Sequence, residues 1–191
     1  MKELKEIKRL LIVVDMVNGF VNEGNMADPY IAHIIPKIEE TINDFINEEE
    51  GVFFIRDSHP ENAAEFRKFP VHCLEGTSES ELVPELQPYE SYGFTFRKNS
   101  TSTMFAEGFT EALEEMEALE EVTVCGCCSD ICVLNLAVPL TNYFDQKERR
   151  IQVYAPADLM ETYDAPVHNR EEYNRMTLLL MNQAGIVTEG R

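Results

Sequence analysis

The sequence predicts a three-layer α/β/α domain around a mostly parallel, six-stranded sheet. Three observations carry that expectation. Short apolar runs alternate along the chain with stretches of helical periodicity, the pattern of strand–helix–strand units. The first run, LLIVVDM at 10–16, is apolar almost without a break, as a parallel strand buried on both faces must be. The 191 residues suffice for one sizeable core but hardly for two, so 1–191 is read as a single domain.

The elements follow in order. PKIEETINDFINE at 36–48 sets Ile38, Ile42, Phe45 and Ile46 at helical spacing, with Pro36 suited to a first turn. GVFFIRD at 51–57 is the second strand, and an irregular stretch runs from 58 to 90. GFTFRK at 93–98 is the third strand, and a helix at about 107–119 leads to EVTVCG at 121–126. A helix at about 130–145 leads to RIQVYAP at 150–156, and one at about 170–183 to GIVTE at 185–189. Pro139 falls inside the helix at 130–145, which is therefore expected to kink or begin irregularly.

Charge and composition exclude several classes of function. A net charge of −19 argues against nucleic acid or an anionic membrane surface as a partner, since each needs a basic patch. The acids gather in runs such as Glu48-Glu49-Glu50 and Glu114 to Glu121, which read as solvated faces. The apolar run Leu10–Val14 is too short for the core of a signal peptide, and no small-residue cleavage site follows it. No stretch approaches the ~18 apolar residues of a membrane span. Five cysteines make an odd count without framework spacing, so the thiols are expected to be reduced and the chain cytoplasmic.

In a parallel sheet, ligands bind beyond the carboxyl ends of the strands. The first strand closes on Asp15, the second on Asp57 and the third on Lys98, while the fourth runs into VTVCGCCSDICV at 122–133. That stretch holds four of the five cysteines. Cys125 lies inside the apolar strand and reads as an inert buried thiol. Cys127 and Cys128 follow Gly126 in the turn. Cys132 falls in the first turn of a helix that Ser129 or Asp130 would cap. Helix-start N–H groups would lower its pKa and offer donors to an oxyanion. A zinc cluster would want a second cysteine pair, and only Cys73 remains. Cys125 and Cys128 fit a CxxC pattern but straddle a strand end. A nucleophilic Cys132 needs a base, either Asp15 or a histidine.

A second constellation starts at Asp57. His59, two residues on, leaves the same face of an extended segment, and Glu65 and His72 follow. Mixed carboxylate and imidazole ligands suit Zn²⁺, Mn²⁺ or Fe²⁺, with water completing the shell. The plain alternative for any one of them is a solvated surface residue. His33 and His168 are read as surface or packing residues.

These segments carry a resemblance. IVVDMVNGFV with Asp15, Asn18 and Phe20, FPVHCLEGTSESEL with His72, FRKNSTSTMF with Lys98, and CGCCSDICV with Cys132 resemble the isochorismatase-like cysteine hydrolases. Among these they look most like the nicotinamidases. The resemblance runs from residue 10 to about 137. It implies a Rossmann-like topology and a triad of Asp15, Lys98 and Cys132, attacking a carboxamide to form a thioester. It also implies an oxyanion hole of the Cys128 and Cys132 N–H groups and a cis peptide between Cys127 and Cys128. Asp57, His59, Glu65 and His72 fall on metal-ligand positions for one divalent ion, zinc ahead of manganese or iron. Phe20, Phe69 and Phe105 fall on aromatic walls of the substrate pocket, Phe69 standing where tryptophan is usual.

The implied activity is hydrolysis of nicotinamide to nicotinate and ammonia in NAD salvage. The implied partner is a small amide, and homo-oligomerisation is left open. Other readings stay in play: a cysteine amidohydrolase of the same fold acting on another amide or carbamoyl compound, or an isochorismatase. Further from these lie a catalytically silent binding module and a hydrolase whose metal-bound water does the chemistry.

Overall fold

Strand β1 (Arg9–Val14) shows in miniature why the molecule has three layers. Leu10, Ile12 and Val14 pack into one apolar cluster, while Leu11 and Val13 pack into another across the sheet. Alternation along a strand sends side chains to opposite faces, so a strand apolar throughout needs cover on both. The computed structural model describes residues 2–189 and supplies that cover; Met1, Gly190 and Arg191 of the 1–191 domain lie outside the described residues.

β2 (Gly51–Asp57) and β4 (Glu121–Cys127) flank β1, with β3 (Phe94–Lys98) beyond β2 and β5 (Gln152–Tyr154) beyond β4. Every pairing is parallel, and the two-residue β6 (Met160–Glu161) extends the far end of β4 as the sixth strand. α1 (Asn18–Val21) follows β1 and carries Phe20 to the site, and α2 (Ile35–Asn47) presents Ile35, Ile38, Ile42 and Phe45 to one face of the sheet. α3 (Phe109–Glu115), α4 (Leu134–Gln146) and α5 (Arg170–Gln183) cover the other, through residues such as Leu113, Phe144 and Met181. Each such side chain contributes about 1.5–3 kcal/mol on burial. No helix among the described residues is long and apolar enough to cross a membrane.

One expectation shifts and another is met. GIVTE at 185–189 forms no full strand; Val187 makes a single parallel bridge to Tyr154, and Met160–Glu161 takes the sixth place instead. The helix expected at about 130–145 begins irregularly, as a π-helical turn over Ser129–Val133 that passes into α4. Pro139 lies inside α4, where it cannot donate to the carbonyl of Asn135. The Ser102 hydroxyl donates to that carbonyl instead, at 2.8 Å, so the helix continues through the proline.

The irregular stretch after β2 is pinned by a buried cation. Arg56 donates through Nε to Ser80 O at 2.8 Å and pairs with Glu81 at 2.6 Å and Glu90 at 3.0 Å. That fastens residues 80–90 against the sheet and, with them, the loop that carries His72.

Candidate active site

Where β1 ends, Asp15 turns into the left-handed region at φ 52, tolerated by aspartate better than by most residues. Its N–H donates to Ile55 O at 3.0 Å, and its side chain is fully buried at the sheet edge. Beside it, β2 and β3 end in register: Asp57 and Lys98 are Cα partners. β4 approaches β1 so closely that only glycine fits at 126, since a Cβ there would lie 2.0 Å from Val14 O. Gly126, at φ 110, starts the turn that swings the chain through a cis Cys127–Cys128 bond into the π-helical turn bearing Cys132.

One ammonium joins these ends. Lys98 Nζ lies 2.8 Å from Asp15 Oδ2, 2.7 Å from Asp57 Oδ1 and 3.6 Å from Cys132 Sγ. All four residues are buried. Burial alone would strip Lys98 of its proton, but Asp15 and Asp57 outweigh it and hold the amine charged. Burial pushes Asp15 up to about 6 against the pull of Lys98, and Asp57 adds to the rise. The Lys98 ammonium is the ion-pair partner of the Asp15 carboxylate, which lies beside the Cys132 thiol across that same ammonium. Burial likewise pushes the Cys132 thiol well above its ordinary range, with Lys98 opposing. The expectation that the helix start lowers this pKa is therefore reversed. The turn is π-helical and the thiol is buried, and both oppose the lowering that an α-helical start would give.

The second cluster shares Asp57. Its Oδ2 receives His59 Nε2 at 2.8 Å and His72 Nε2 at 3.1 Å, and the three donor atoms lie within 4.8 Å of one another. On the far side of each ring, Nδ1 meets an acceptor: Asn99 Oδ1 at 2.6 Å for His59 and Pro70 O at 2.7 Å for His72. Without an ion each Nε2 can donate to Asp57 Oδ2; with Nδ1–H donated outward, each Nε2 would instead turn a lone pair to a cation held between the rings and that oxygen. Two imidazole nitrogens and a carboxylate oxygen so close together fit a divalent cation. Lys98 and the two imidazoles hold the Asp57 carboxyl well below the usual range despite its burial. Phe20, Phe66 and Phe69 surround the His72 ring at centroid distances of 5.6, 5.6 and 6.3 Å.

The model of the isochorismatase domain matches residues 9–188. The chain belongs to the isochorismatase family. Nicotinamidase 1 of Arabidopsis thaliana is 29% identical over 180 residues, covering 83% of this chain and 71% of that protein. The pyrazinamidase of Pyrococcus horikoshii, solved in complex with zinc, is 25% identical at a TM-score of 0.76, over 96% of this chain and 99% of that one. N-carbamoylsarcosine amidase of Thermoplasma acidophilum superposes at a TM-score of 0.78 with 21% identity over 96% of each chain, a likeness of fold alone.

Within this isochorismatase-family chain, the clusters share one small pocket lined by Phe20, Met26, Asp57, Glu65, Phe69, His72, Thr101, Cys128, Ile131 and Cys132. It encloses about 20 Å³, room for a water, with the half-buried Met26, Phe69 and Ile131 among its walls.

Two sequence expectations are not met. Glu65 lines the pocket, yet its carboxylate stays out of the three-donor cluster, because the short 3-10 turn Ala64–Arg67 carries it to the half-exposed rim. Phe105 is 83% exposed and lines nothing here; Thr103 and Met104 of the same turn take the inward positions. Sequence reasoning missed Asn99, Thr101, Ile131, Phe66 and Met26. Asn99 directly follows Lys98, Thr101 comes two residues later and Ile131 directly precedes Cys132, so nearness in sequence to a candidate catalytic residue was the available signal. Nothing in the pattern singles out Met26.

Proposed function

We propose that this chain is a nicotinamidase, a cytoplasmic, single-domain enzyme that hydrolyses nicotinamide to nicotinate and ammonia for NAD salvage. One observation carries it: the Asp15–Lys98–Cys132 cluster and the Asp57–His59–His72 cluster meet at the Lys98–Asp57 pair across one pocket. That arrangement supports a reading in which the thiol and an anchor for an aromatic nitrogen act on one small substrate.

Asp15 takes the Cys132 proton as the sulfur attacks the carboxamide carbon, and Lys98 holds the incoming charge beside both. Backbone N–H groups of Cys128 and Cys132 receive the oxyanion. Collapse breaks the C–N bond, with Asp15 returning the proton to the leaving ammonia. Water then opens the thioester, losing its proton to Asp15, which passes it to the Cys132 sulfur as the C–S bond breaks. A divalent ion, zinc by preference, would be held by Asp57, His59 and His72 and would supply a Lewis-acid anchor for the pyridine nitrogen.

Two measurements test this. In a panel of aromatic and aliphatic amides and ureido compounds, ammonia release should be fastest from nicotinamide by kcat/KM. If an acyclic carbamoyl compound comes first, the chain is instead a carbamoyl amidase on the same fold.

The second is a pH profile. The base must be ionised, and Asp15 is the group whose carboxyl is raised, to about 6. Below that value Asp15 is protonated and cannot accept, so kcat/KM should rise with pH through about 6 and level off above it. Asp15→Asn should remove that limb together with the activity. A profile flat from pH 5 to 7 assigns the base elsewhere.

A further inference from the structure

We infer that His168 is a positioning residue, holding the turn that presents Cys132 through its contact with Asp130. The inference rests on Cys132 being the nucleophile. Read from sequence as a surface or packing residue, His168 is only 5% exposed. A tight turn closed by Ala165 N–H to His168 O at 3.0 Å and His168 N–H to Ala165 O at 2.9 Å sets it against the start of α5. Its ring lies between Tyr163 and Tyr173, at centroid distances of 3.9 and 3.6 Å and interplanar angles of 10° and 27°.

The hydrogen bonds distinguish a clasp from a filler. His168 Nε2 lies 2.9 Å from Asp130 Oδ2, and Nδ1 lies 3.0 Å from Tyr163 O. The ring is thus held at both nitrogens, by a carboxylate on one side and a backbone carbonyl on the other, while the two tyrosine rings fix its plane. Asp130 Oδ1 is satisfied separately, by the Thr162 hydroxyl at 2.6 Å. Neighbouring Ser129 donates to Asn174 of α5 at 2.5 Å. The two residues that open the π-helical turn are thus tied to the segment 162–174 outside it. A π-turn is wound wider than an α-turn and is rarely stable unaided, so it needs such external ties. Cys132 lies two residues beyond Asp130, and a small unwinding would move its sulfur away from Lys98 and Asp15.

The test uses His168→Gln, His168→Ala and Asp130→Asn in the full chain. The readouts are nicotinamide turnover and the rate at which iodoacetamide labels Cys132, mapped by peptide mass. Each variant should lower kcat by about 10- to 100-fold with KM within about twofold, as expected for a misplaced reacting group. Labelling of Cys132 should slow in parallel, and Asp130→Asn/His168→Ala should fall no further than the worse single variant. Folded variants, by near-ultraviolet circular dichroism, with wild-type kcat and labelling overturn the inference. So do a loss of kcat without loss of labelling and an additive double variant. Should the His168 variants fail to fold, Asp130→Asn, which preserves shape, decides alone. Labelling does not depend on the substrate, so a wrong substrate assignment leaves that arm readable.

Discussion

Cys132→Ala will abolish ammonia release, lowering turnover on the order of 10⁶-fold, as loss of a nucleophile does in enzymes of comparable design. Cys125, Cys127 and Cys73 are not placed to substitute. Cys125 is buried in β4, where burial pushes its thiol far above the ordinary range. Cys127 donates to the Asp15 carbonyl at 3.1 Å and is committed to that contact. Burial also pushes up the Cys73 thiol, on the loop beyond β2. Only Cys132 has its sulfur within 3.6 Å of the Lys98 ammonium, beside a carboxylate whose raised pKa suits it to accept the proton. Cys125→Ala should therefore keep its turnover and lose only about 1 kcal/mol of stability. Mass spectrometry of quenched reactions should show an acyl adduct on wild type and none on Cys132→Ala. Measurable ammonia release by folded Cys132→Ala would refute the nucleophile assignment.

What could be read from the sequence here was the geometry of strand ends. An apolar run that stops at a charged residue tells both where the strand ends and what it carries there, which is why Asp15, Asp57 and Lys98 were legible. Parallel pairing then brings such ends to one edge, and the β2–β3 register places Asp57 directly beside Lys98. Loops offer no such rule. Glu65 and Phe105 both sit on short 3-10 turns, where a rotation of one residue exchanges rim for pocket. His168 was illegible for another reason: its partners Asp130, Tyr163 and Tyr173 come together only when the 162–168 loop folds back on the nucleophile turn. The sixth strand failed by length, since two residues at Met160–Glu161 leave no periodicity to detect. The Cys132 thiol was misjudged because burial depends on the whole fold, whereas a helix start can be read locally.

Removing the metal should silence turnover while leaving the thiol able to react. From sequence the two centres looked separate, but the structure links them through Asp57, with Oδ1 on Lys98 and Oδ2 facing both imidazoles. The link carries charge rather than a reacting atom. A divalent ion on Oδ2 would draw on the Asp57 charge, so chelation restores that negative field near Lys98 and Cys132 and should slow thiol alkylation within about tenfold. Turnover should fall further, about 100-fold or more, because an unanchored ring no longer sets its carboxamide at the sulfur. His59→Ala and His72→Ala should copy the chelated enzyme, and Asn99→Ala should weaken metal binding by about 10- to 100-fold through loss of the His59 anchor. Cys132→Ala, by contrast, should still bind metal and nicotinamide. The measurements are metal content, turnover, and alkylation rate against pH for each variant, with and without chelator. Turnover that survives full chelation would leave the three-donor cluster a structural role only. Metal-dependent turnover in Cys132→Ala would instead make the metal site itself the reacting centre.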